Sequence, residues 1–277
     1  MTTPRKRFSI GKFLFLVAAQ FSLLLLGIRL LFPKLWALQT DFGFVSFLLT
    51  FLCMHLFFCF FEWGFHRYVL HVALLPWLSF FARQHTHHHN LTDIKAKNDT
   101  AGQGRIVLNE YPIEKEEQYE SSAFPDYALS GFWLFFTPLF IGLQLCLPNA
   151  PILLGGYAAL TFSMICYEVF HAIEHMPFHW WKRAIKLPRT GKIWEKIYAF
   201  HHFHHFNRNT NEAISGFFGL PVADWVLRTY HLPKHLLLLG YRATTQDIRV
   251  KPLLPIVRWM DSKSRYLQNW TRNRAQK

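Results

Sequence analysis

Residues 42–71 read FGFVSFLLTFLCMHLFFCFFEWGFHRYVLH, an apolar stretch that ends in two histidines. From Phe42 to Phe61 the stretch carries no Asp, Glu, Lys or Arg, and a run of about 18 or more such residues predicts a membrane-spanning helix. About one further helical turn carries the chain from Phe61 to His66. The stretch therefore predicts a span that delivers histidines to one membrane surface.

Three other apolar runs predict further spans, which gives four in all: residues 8–32, 42–61, 127–147 and 152–167. The last run is the shortest. Pro148 and Pro151 leave room only for a tight turn, so the third and fourth spans are expected to be antiparallel neighbours. An apolar content of 51%, with 29 Phe and 10 Trp, is high for a soluble protein and favours the same interpretation.

The distribution of positive charge predicts which ends of the spans face the cytoplasm. Arg5, Lys6 and Arg7 precede the first span, and such residues stay inside. With four spans, residues 62–126 and 168–277 are then also cytoplasmic. Residues 168–277 hold 18 Lys/Arg against 7 Asp/Glu, most of the total net charge of +13, and this excess suits an anionic inner leaflet. The charge alternates with tryptophans and shows no groove-reading motif, so no nucleic-acid partner is expected.

The sequence predicts one membrane domain, residues 1–277, because no repeat and no separate electron-carrier domain can be fitted into it. The expected fold is all-α, with about four transmembrane helices and a cytoplasmic histidine-rich helical cap that holds a binuclear metal site. Between Asn90 and Phe124 polar and acidic residues predict a loop with one polar helix. Residues 178–197 mix aromatic and basic side chains, which is typical of helices that lie on the membrane surface.

Ten of the 16 histidines form four compact groups on the predicted cytoplasmic side. Histidines three or four positions apart share a helix face, so the second, third and fourth groups could each aim at a common point. His66 and His71 are five apart, so either the helix tightens or bulges there, or the metals lie between the two directions. Ten imidazoles suit two transition-metal ions better than one. The predicted ligands are His66 and His71, His85, His88 and His89, His171 and His175, and His201, His204 and His205.

Other polar residues are assigned supporting roles. A ligating imidazole needs a partner for its second nitrogen, and Glu62 and Glu168 are placed to orient His66 and His171. His87 and His202 point away from the ligand faces, so they are expected to lie outside the ligand set or at the surface. The remaining histidines are expected to have structural, hydrogen-bonded roles: His55, His179, His231 and His235.

These motifs resemble those of the fatty acid hydroxylase and sterol desaturase superfamily, membrane oxygenases with a histidine-bound di-iron site. The family's boxes have the spacing of His66/His71, His85/His88/His89 and His201/His204/His205, and the fatty acid 2-hydroxylase branch adds a pair like His171/His175. The resemblance implies two iron ions, O2 as co-substrate and hydroxylation of a C–H bond of a fatty acyl, sphingolipid or sterol lipid. It implies no catalytic residue beyond the metal centre.

The resemblance leaves several alternatives open. A lipid desaturase would share the same di-iron site, although the His171/His175 pair favours hydroxylation. A metal transporter or sensor predicts ionisable residues near mid-span, where only His55 lies. Electrons are expected from a separate donor, such as a cytochrome b5-like protein, a ferredoxin or a reductase. A bacterial inner membrane and the endoplasmic reticulum both fit, and the sequence does not select the lipid.

Overall fold

The computed structural model describes residues 9–98 and 105–275, so the basic run Arg5 to Arg7 and the first residue of the first predicted span lie outside it. The described chain is mostly helical. In chain order its helices are α1 (Ile10–Leu31), α2 (Pro33–Asp41), α3 (Gly43–Phe65), α4 (Ser79–Leu91), α5 (Glu116–Ser122), α6 (Ala128–Cys146), α7 (Ile152–Glu174), α8 (Phe178–Ile185), α9 (Gly191–Phe206), α10 (Val222–Leu227), α11 (Thr245–Ile248) and α12 (Pro255–Ala275). A π-helical turn, His66–Leu70, continues α3, and a 3₁₀ turn, Pro76–Leu78, precedes α4.

Four of the described helices are long and apolar enough to cross a membrane, which confirms the predicted number of spans. They are α1, α3 with its π turn, α6 and α7. The fourth span was expected to be the shortest, and this prediction is wrong, because α7 continues to Glu174 and is 23 residues long. Large apolar side chains such as Phe15, Phe44 and Leu134 are exposed on α1, α3 and α6, as they would be in contact with lipid.

Helix α7 lies at the centre of the spans and packs against α3, α6 and α1. Glycines permit its close approach to two neighbours. A Cβ atom at Gly155 would lie 2.7 Å from Thr50 Cγ2 of α3, and one at Gly156 would lie 3.1 Å from the Phe140 ring of α6. Small residues at such contacts let helix backbones approach closely, which is a main source of packing energy within lipid.

The expected all-α fold is wrong in one region, because residues 94–98 and 105–109 form strands of an antiparallel sheet. Strand β1 (Ile94–Asn98) pairs with β2 (Arg105–Asn109), which pairs with the short β3 (Arg242–Ala243). The polar composition of residues 90–124 predicted a loop, but β1 alternates apolar residues with lysines, and β2 has three consecutive apolar residues at its centre. Ile94 and Val107 are buried, so the sheet covers a core of its own.

Two apolar cores outside the spans flank the histidines. One is formed by the sheet with α8 and α9 and includes Trp181, Tyr198 and Phe203. The other lies where the end of α3 meets α10 and α12, around Trp63, Ala223 and Val257. Helix α9 contributes Tyr198 and Phe203 to the first core, which anchors this helix beside the histidines that it carries.

Candidate metal centre

The structure brings all ten predicted ligands together in two buried groups of five. In each group, one ring nitrogen of every histidine lies within 4.8 Å of the others. Group A consists of His66, His71, His85, His89 and His204, and group B consists of His88, His171, His175, His201 and His205.

The π turn explains how His66 and His71 can share group A although they are five residues apart. The His71 N–H donates to the His66 carbonyl at 3.1 Å, the five-residue hydrogen bond of a π helix. The wider turn brings position i+5 back over position i, and the two imidazoles stack with centroids 4.8 Å apart. The spacing left open whether the helix tightens, whether it bulges or whether the metals lie between the two directions. In the structure the helix bulges.

Helices α4 and α9 each contribute histidines to both group A and group B. This differs from the expectation that the histidines on one helix aim at a single point. On α4, His85 and His89 are four apart and diverge by about 40°, so they enter group A together, whereas His88 is about 100° from His89 and enters group B. Helix α9 does the reverse: His201 and His205 enter group B and His204 enters group A. Each group thus combines two pairs with one single histidine.

The two groups abut directly. His89 of group A stacks on His205 of group B with centroids 4.1 Å apart, and His201 and His204 stack at 5.5 Å. No other side chain separates these rings. Two ions held by the groups would therefore be neighbours, as a binuclear site requires.

Backbone carbonyls determine which nitrogen of several histidines carries the proton. A carbonyl can only accept, so a ring nitrogen that contacts one must donate. The Nδ1 atoms donate at 2.6 Å from His66 to Glu212, at 2.8 Å from His175 to Tyr111, at 2.7 Å from His204 to Thr210 and at 2.9 Å from His205 to Thr92. In the neutral imidazole the Nε2 atom of each then carries a bare lone pair that points into its group.

These lone pairs face other ring nitrogens at short distances. In group B, His201 Nε2 lies 3.1 Å from both His175 Nε2 and His205 Nε2, and each of those two has its proton on Nδ1. A single proton on His201 could lie in only one of the two contacts, so in at least one of them two ring nitrogens repel each other without a proton between them. A cation at the centre of the group removes this repulsion. The donor set therefore fits a bound metal ion.

Burial keeps the imidazoles neutral, which is the form that binds metals. It lowers the pKa of His88, His89, His201 and His205 well below the ordinary value and that of His175 to about 3. Neighbouring imidazoles lower the pKa of the first four further. At metal–nitrogen distances of about 2.1 Å, opposite ligands lie about 4.2 Å apart, so each group needs only a small contraction around an ion. Five ligands leave one of six octahedral positions open.

Two buried glutamates lie beside the groups, and sequence reasoning missed both. Glu212 Oε2 lies 3.9 Å from His66 Nδ1 and from His71 Nε2, while its Oε1 accepts from Arg67 at 2.8 Å. Glu174 Oε2 lies 4.0 Å from His201 Nδ1. Neither Oε2 atom has a hydrogen-bond partner among the described residues. No sequence pattern marks either residue as part of the site, apart from the position of Glu174 within the HAIEH motif.

The predicted orienting residues have other partners. Glu62 accepts from the Ser215 N–H at 2.8 Å and from the Ser215 hydroxyl at 2.6 Å, so it fixes a loop and does not orient His66. Glu168 accepts from the Phe124 N–H at 2.8 Å and not from His171, which is hydrogen-bonded to the backbone of Ser122.

The remaining histidines lie outside both groups. His87 is exposed, whereas His202 is buried and contacts the Asn109 amide at 3.0 Å. Both nitrogens of His55 are occupied, by Ser163 Oγ at 2.8 Å and by the Phe218 N–H at 3.2 Å, which confirms its structural role. His235 pairs with Asp247 at 3.0 Å, the Nε2 of His231 has no partner among the described residues, and His179 is exposed.

Two apolar cavities lie near the end of the spans that carries group A. The larger, about 340 Å³, lies between α3, α4 and α6 and is lined by Phe65, Phe81, Gly131 and other apolar residues. The smaller, about 70 Å³, has His66 in its lining, and Phe61, Phe65 and Phe132 border both cavities. The larger apolar cavity thus lies next to one that touches a histidine of group A.

Comparison with protein-family models, with curated proteins and with solved structures finds no match for this chain. The family resemblance drawn from the histidine motifs therefore stays a prediction, and the functional argument depends on the site itself.

Proposed function

We propose that the protein is a membrane-bound di-iron oxygenase that hydroxylates a C–H bond of a lipid. The observation that carries this proposal is the adjacency of two buried five-histidine groups, in one of which ring nitrogens meet without a proton between them. Nitrogen ligands of this type suit iron and other borderline transition metals. The choice of iron over its neighbours in the series comes from the motif resemblance.

The apolar cavity supports a lipid as the substrate. The walls of the larger cavity are almost entirely hydrocarbon and aromatic, and it shares three aromatic rings with the smaller cavity beside His66. An acyl chain or sterol that entered the larger cavity between α3 and α6 would lie in apolar surroundings and would pass these rings to reach group A. The walls would exclude water and hold one methylene near the site, which is the main contribution a protein makes to such chemistry.

The chain's own groups hold the site in a fixed geometry. Carbonyls of residues 92, 111, 210 and 212 set the orientation of four imidazoles. Glu212 and Glu174 bring carboxyl groups beside groups A and B, and in their ionised form these groups would offset the charge of bound cations. When bound, two iron ions would supply the electrons and open coordination positions needed to reduce O2 and remove hydrogen from carbon.

The observed geometry does not favour the transport alternative. All ten candidate ligands lie at one end of the spans, and His55, the only histidine near mid-span, has both ring nitrogens hydrogen-bonded. A path for ions would need further polar groups along the spans.

Metal content tests the metal part of the proposal. We expect the purified protein to hold two iron ions per chain by elemental analysis, and His88→Ala or His204→Ala to lower that number. His235→Ala is the matched control, because His235 lies outside both groups and its side chain is half exposed. Clearly fewer than two metals per chain in the wild type would contradict the proposal.

Lipid mass spectrometry of cells tests the reaction. We expect the wild type to produce a lipid with one additional oxygen, and His204→Ala to produce none. A lipid lacking two hydrogens would show desaturation instead, and an unchanged lipid profile would refute both.

Gly131→Trp tests the cavity: a Cβ atom there meets nothing within 4 Å, so the indole would occupy the cavity and reduce product while the metal content stays unchanged. Gly142→Trp, in an open position on the same helix, is its control.

A further inference from the structure

A line of buried aromatic rings connects group B with the protein surface. The Tyr111 ring lies 4.4 Å from His175, Tyr198 lies 5.9 Å from Tyr111, and Trp181 lies 5.4 Å from Tyr198. All distances are between ring centroids. At the outer end Trp181 contacts Trp180 at 5.3 Å and Trp194 at 6.4 Å, and these two are 46% and 37% exposed.

The three inner rings carry polar atoms that the packing does not use. Trp181 Nε1, Tyr198 OH and Tyr111 OH are buried and have no hydrogen-bond partner among the described residues. A buried Tyr or Trp ordinarily finds such a partner, and leaving the group unsatisfied destabilises the folded state. Phenylalanine would fill these positions without that cost. The electron-rich rings therefore have a role beyond packing, and electrons pass more readily through such rings than through aliphatic side chains.

The surface where the line ends is strongly basic. Six exposed cations lie on α8, in the loop that follows it and on the first turns of α9, near Trp180 and Trp194 in the sequence, against the single acid Glu195. Within the described ranges none of the six forms an ion pair. They are Lys182, Arg183, Lys186, Arg189, Lys192 and Lys196. This surface, called here the α8–α9 face, is complementary to an acidic protein, and exposed aromatic and arginine residues are enriched at protein interfaces.

We propose that the α8–α9 face docks an acidic one-electron carrier protein, and that its electron reaches group B through Trp181, Tyr198 and Tyr111. The inference rests on the proposed function, which consumes O2, two electrons and two protons for each C–H bond converted to C–OH and each water released. In each docking the carrier would lose one electron, and a ferric ion held by group B would be reduced by it, with no bond made or broken. Two dockings supply one turnover.

The docking step is tested by binding of an oxidised acidic [2Fe–2S] ferredoxin to the detergent-solubilised full chain. We expect binding to weaken with ionic strength, and Lys182→Glu with Arg183→Glu to weaken it about tenfold or more. The matched control, Arg258→Glu with Lys263→Glu, makes the same charge change on α12, outside the α8–α9 face. It should leave the Kd of ferredoxin within about twofold. Equal losses in both double variants, or none in either, would overturn the docking site. Unchanged ferredoxin binding in the α8 variant, with weakened binding to anionic vesicles, would assign the face to lipid instead.

The electron route is tested by rapid mixing of the iron-loaded protein with reduced ferredoxin. We expect Tyr198→Leu to slow the loss of the ferric absorbance at least about tenfold while the iron content and ferredoxin Kd stay unchanged. Phe178→Leu alters a ring in the same core that contacts Tyr198 from the side, at 5.6 Å, and should leave the rate unchanged. A wild-type rate in Tyr198→Leu would refute the route. Binding can be measured without metal, so failure of the di-iron proposal and failure of the docking proposal give different results.

Discussion

At the scale of single residues, the site depends on neutral histidines that the protein keeps out of water. Their burial has a thermodynamic consequence when no metal is bound. Below about pH 6.5 the unfolded chain protonates its histidines, whereas the folded chain does not until far lower pH. The folded protein therefore binds fewer protons than the unfolded protein across this range.

We expect the free energy of unfolding of the metal-free protein to fall as the pH falls from 7 to 5. Each histidine whose pKa burial lowers, such as His88, His89 and His175, contributes up to about 1.4 kcal/mol per pH unit. Thermal unfolding in detergent measures the effect. A midpoint that stays constant over this pH range would show that the imidazoles are hydrated.

Arg67 holds the carboxylate beside group A. It donates to Glu212 at 2.8 Å and makes two bonds of 2.8 Å to Asp261 of α12. Arg67→Met would leave Glu212 as a buried, unpaired charge, so we expect a loss of about 3–5 kcal/mol in the free energy of unfolding.

Two comparisons isolate this effect. Adding Glu212→Gln to Arg67→Met removes the stranded charge and should restore part of the stability, as measured by thermal or denaturant unfolding. Arg83→Met removes an exposed arginine that contacts only Ser79 and should change stability by less than about 0.5 kcal/mol. Equal losses in Arg67→Met and Arg83→Met would contradict the argument.

At the scale of elements, the contact between α7 and α3 depends on a position without a side chain. Gly155→Ala would place a Cβ atom 2.7 Å from Thr50 Cγ2 and 3.3 Å from the Phe51 backbone nitrogen, so α7 must shift. We expect a loss of about 1–3 kcal/mol, measured by unfolding in detergent, and partial recovery when Thr50→Ala is added. Gly142→Ala, with nothing within 4 Å, should be tolerated.

The four spans and the ten clustered histidines could be predicted from the sequence, because long apolar runs and helical histidine spacing are strong signals. The i, i+5 spacing of His66 and His71 left several geometries possible, because a π turn forms only through the surrounding packing. The division of α4 and α9 between two groups could not be predicted either, since spacing fixes relative angles but not the direction of a helix. The sheet was missed because its strands have five residues or fewer, too few for a pattern of alternating polarity to stand out.

At the scale of the whole molecule, the proposed topology places both ends and all ten histidines in the cytoplasm. We expect single cysteines at positions 90 and 209, both exposed in the structure, to react with a membrane-impermeant maleimide only after the membrane is opened, in a background without the four native cysteines. A cysteine at position 149, in the turn between α6 and α7, should react in intact cells. If position 90 reacted outside while position 209 stayed protected, the four-span arrangement would be wrong.

The carboxylates beside the histidines show what only the assembled molecule reveals. Glu212 is 146 residues from His66 and 141 from His71, the two histidines that its Oε2 atom faces, and nothing in its neighbourhood along the sequence marks it as buried. Its position results from the packing of the segment after α9 against the π turn. Sequence patterns predict which residues share a face of one element, whereas contacts between distant elements depend on the complete fold.

Because α4 and α9 each contribute histidines to both groups, the two groups would not bind their metal ions independently. An ion in group A would fix the rotation of both helices, because it binds His85 and His89 of one and His204 of the other. That rotation also sets His88, His201 and His205, so the second ion would meet ligands that are already aligned. Loading should therefore be cooperative, with chains that carry one ion scarce at every stage of a titration.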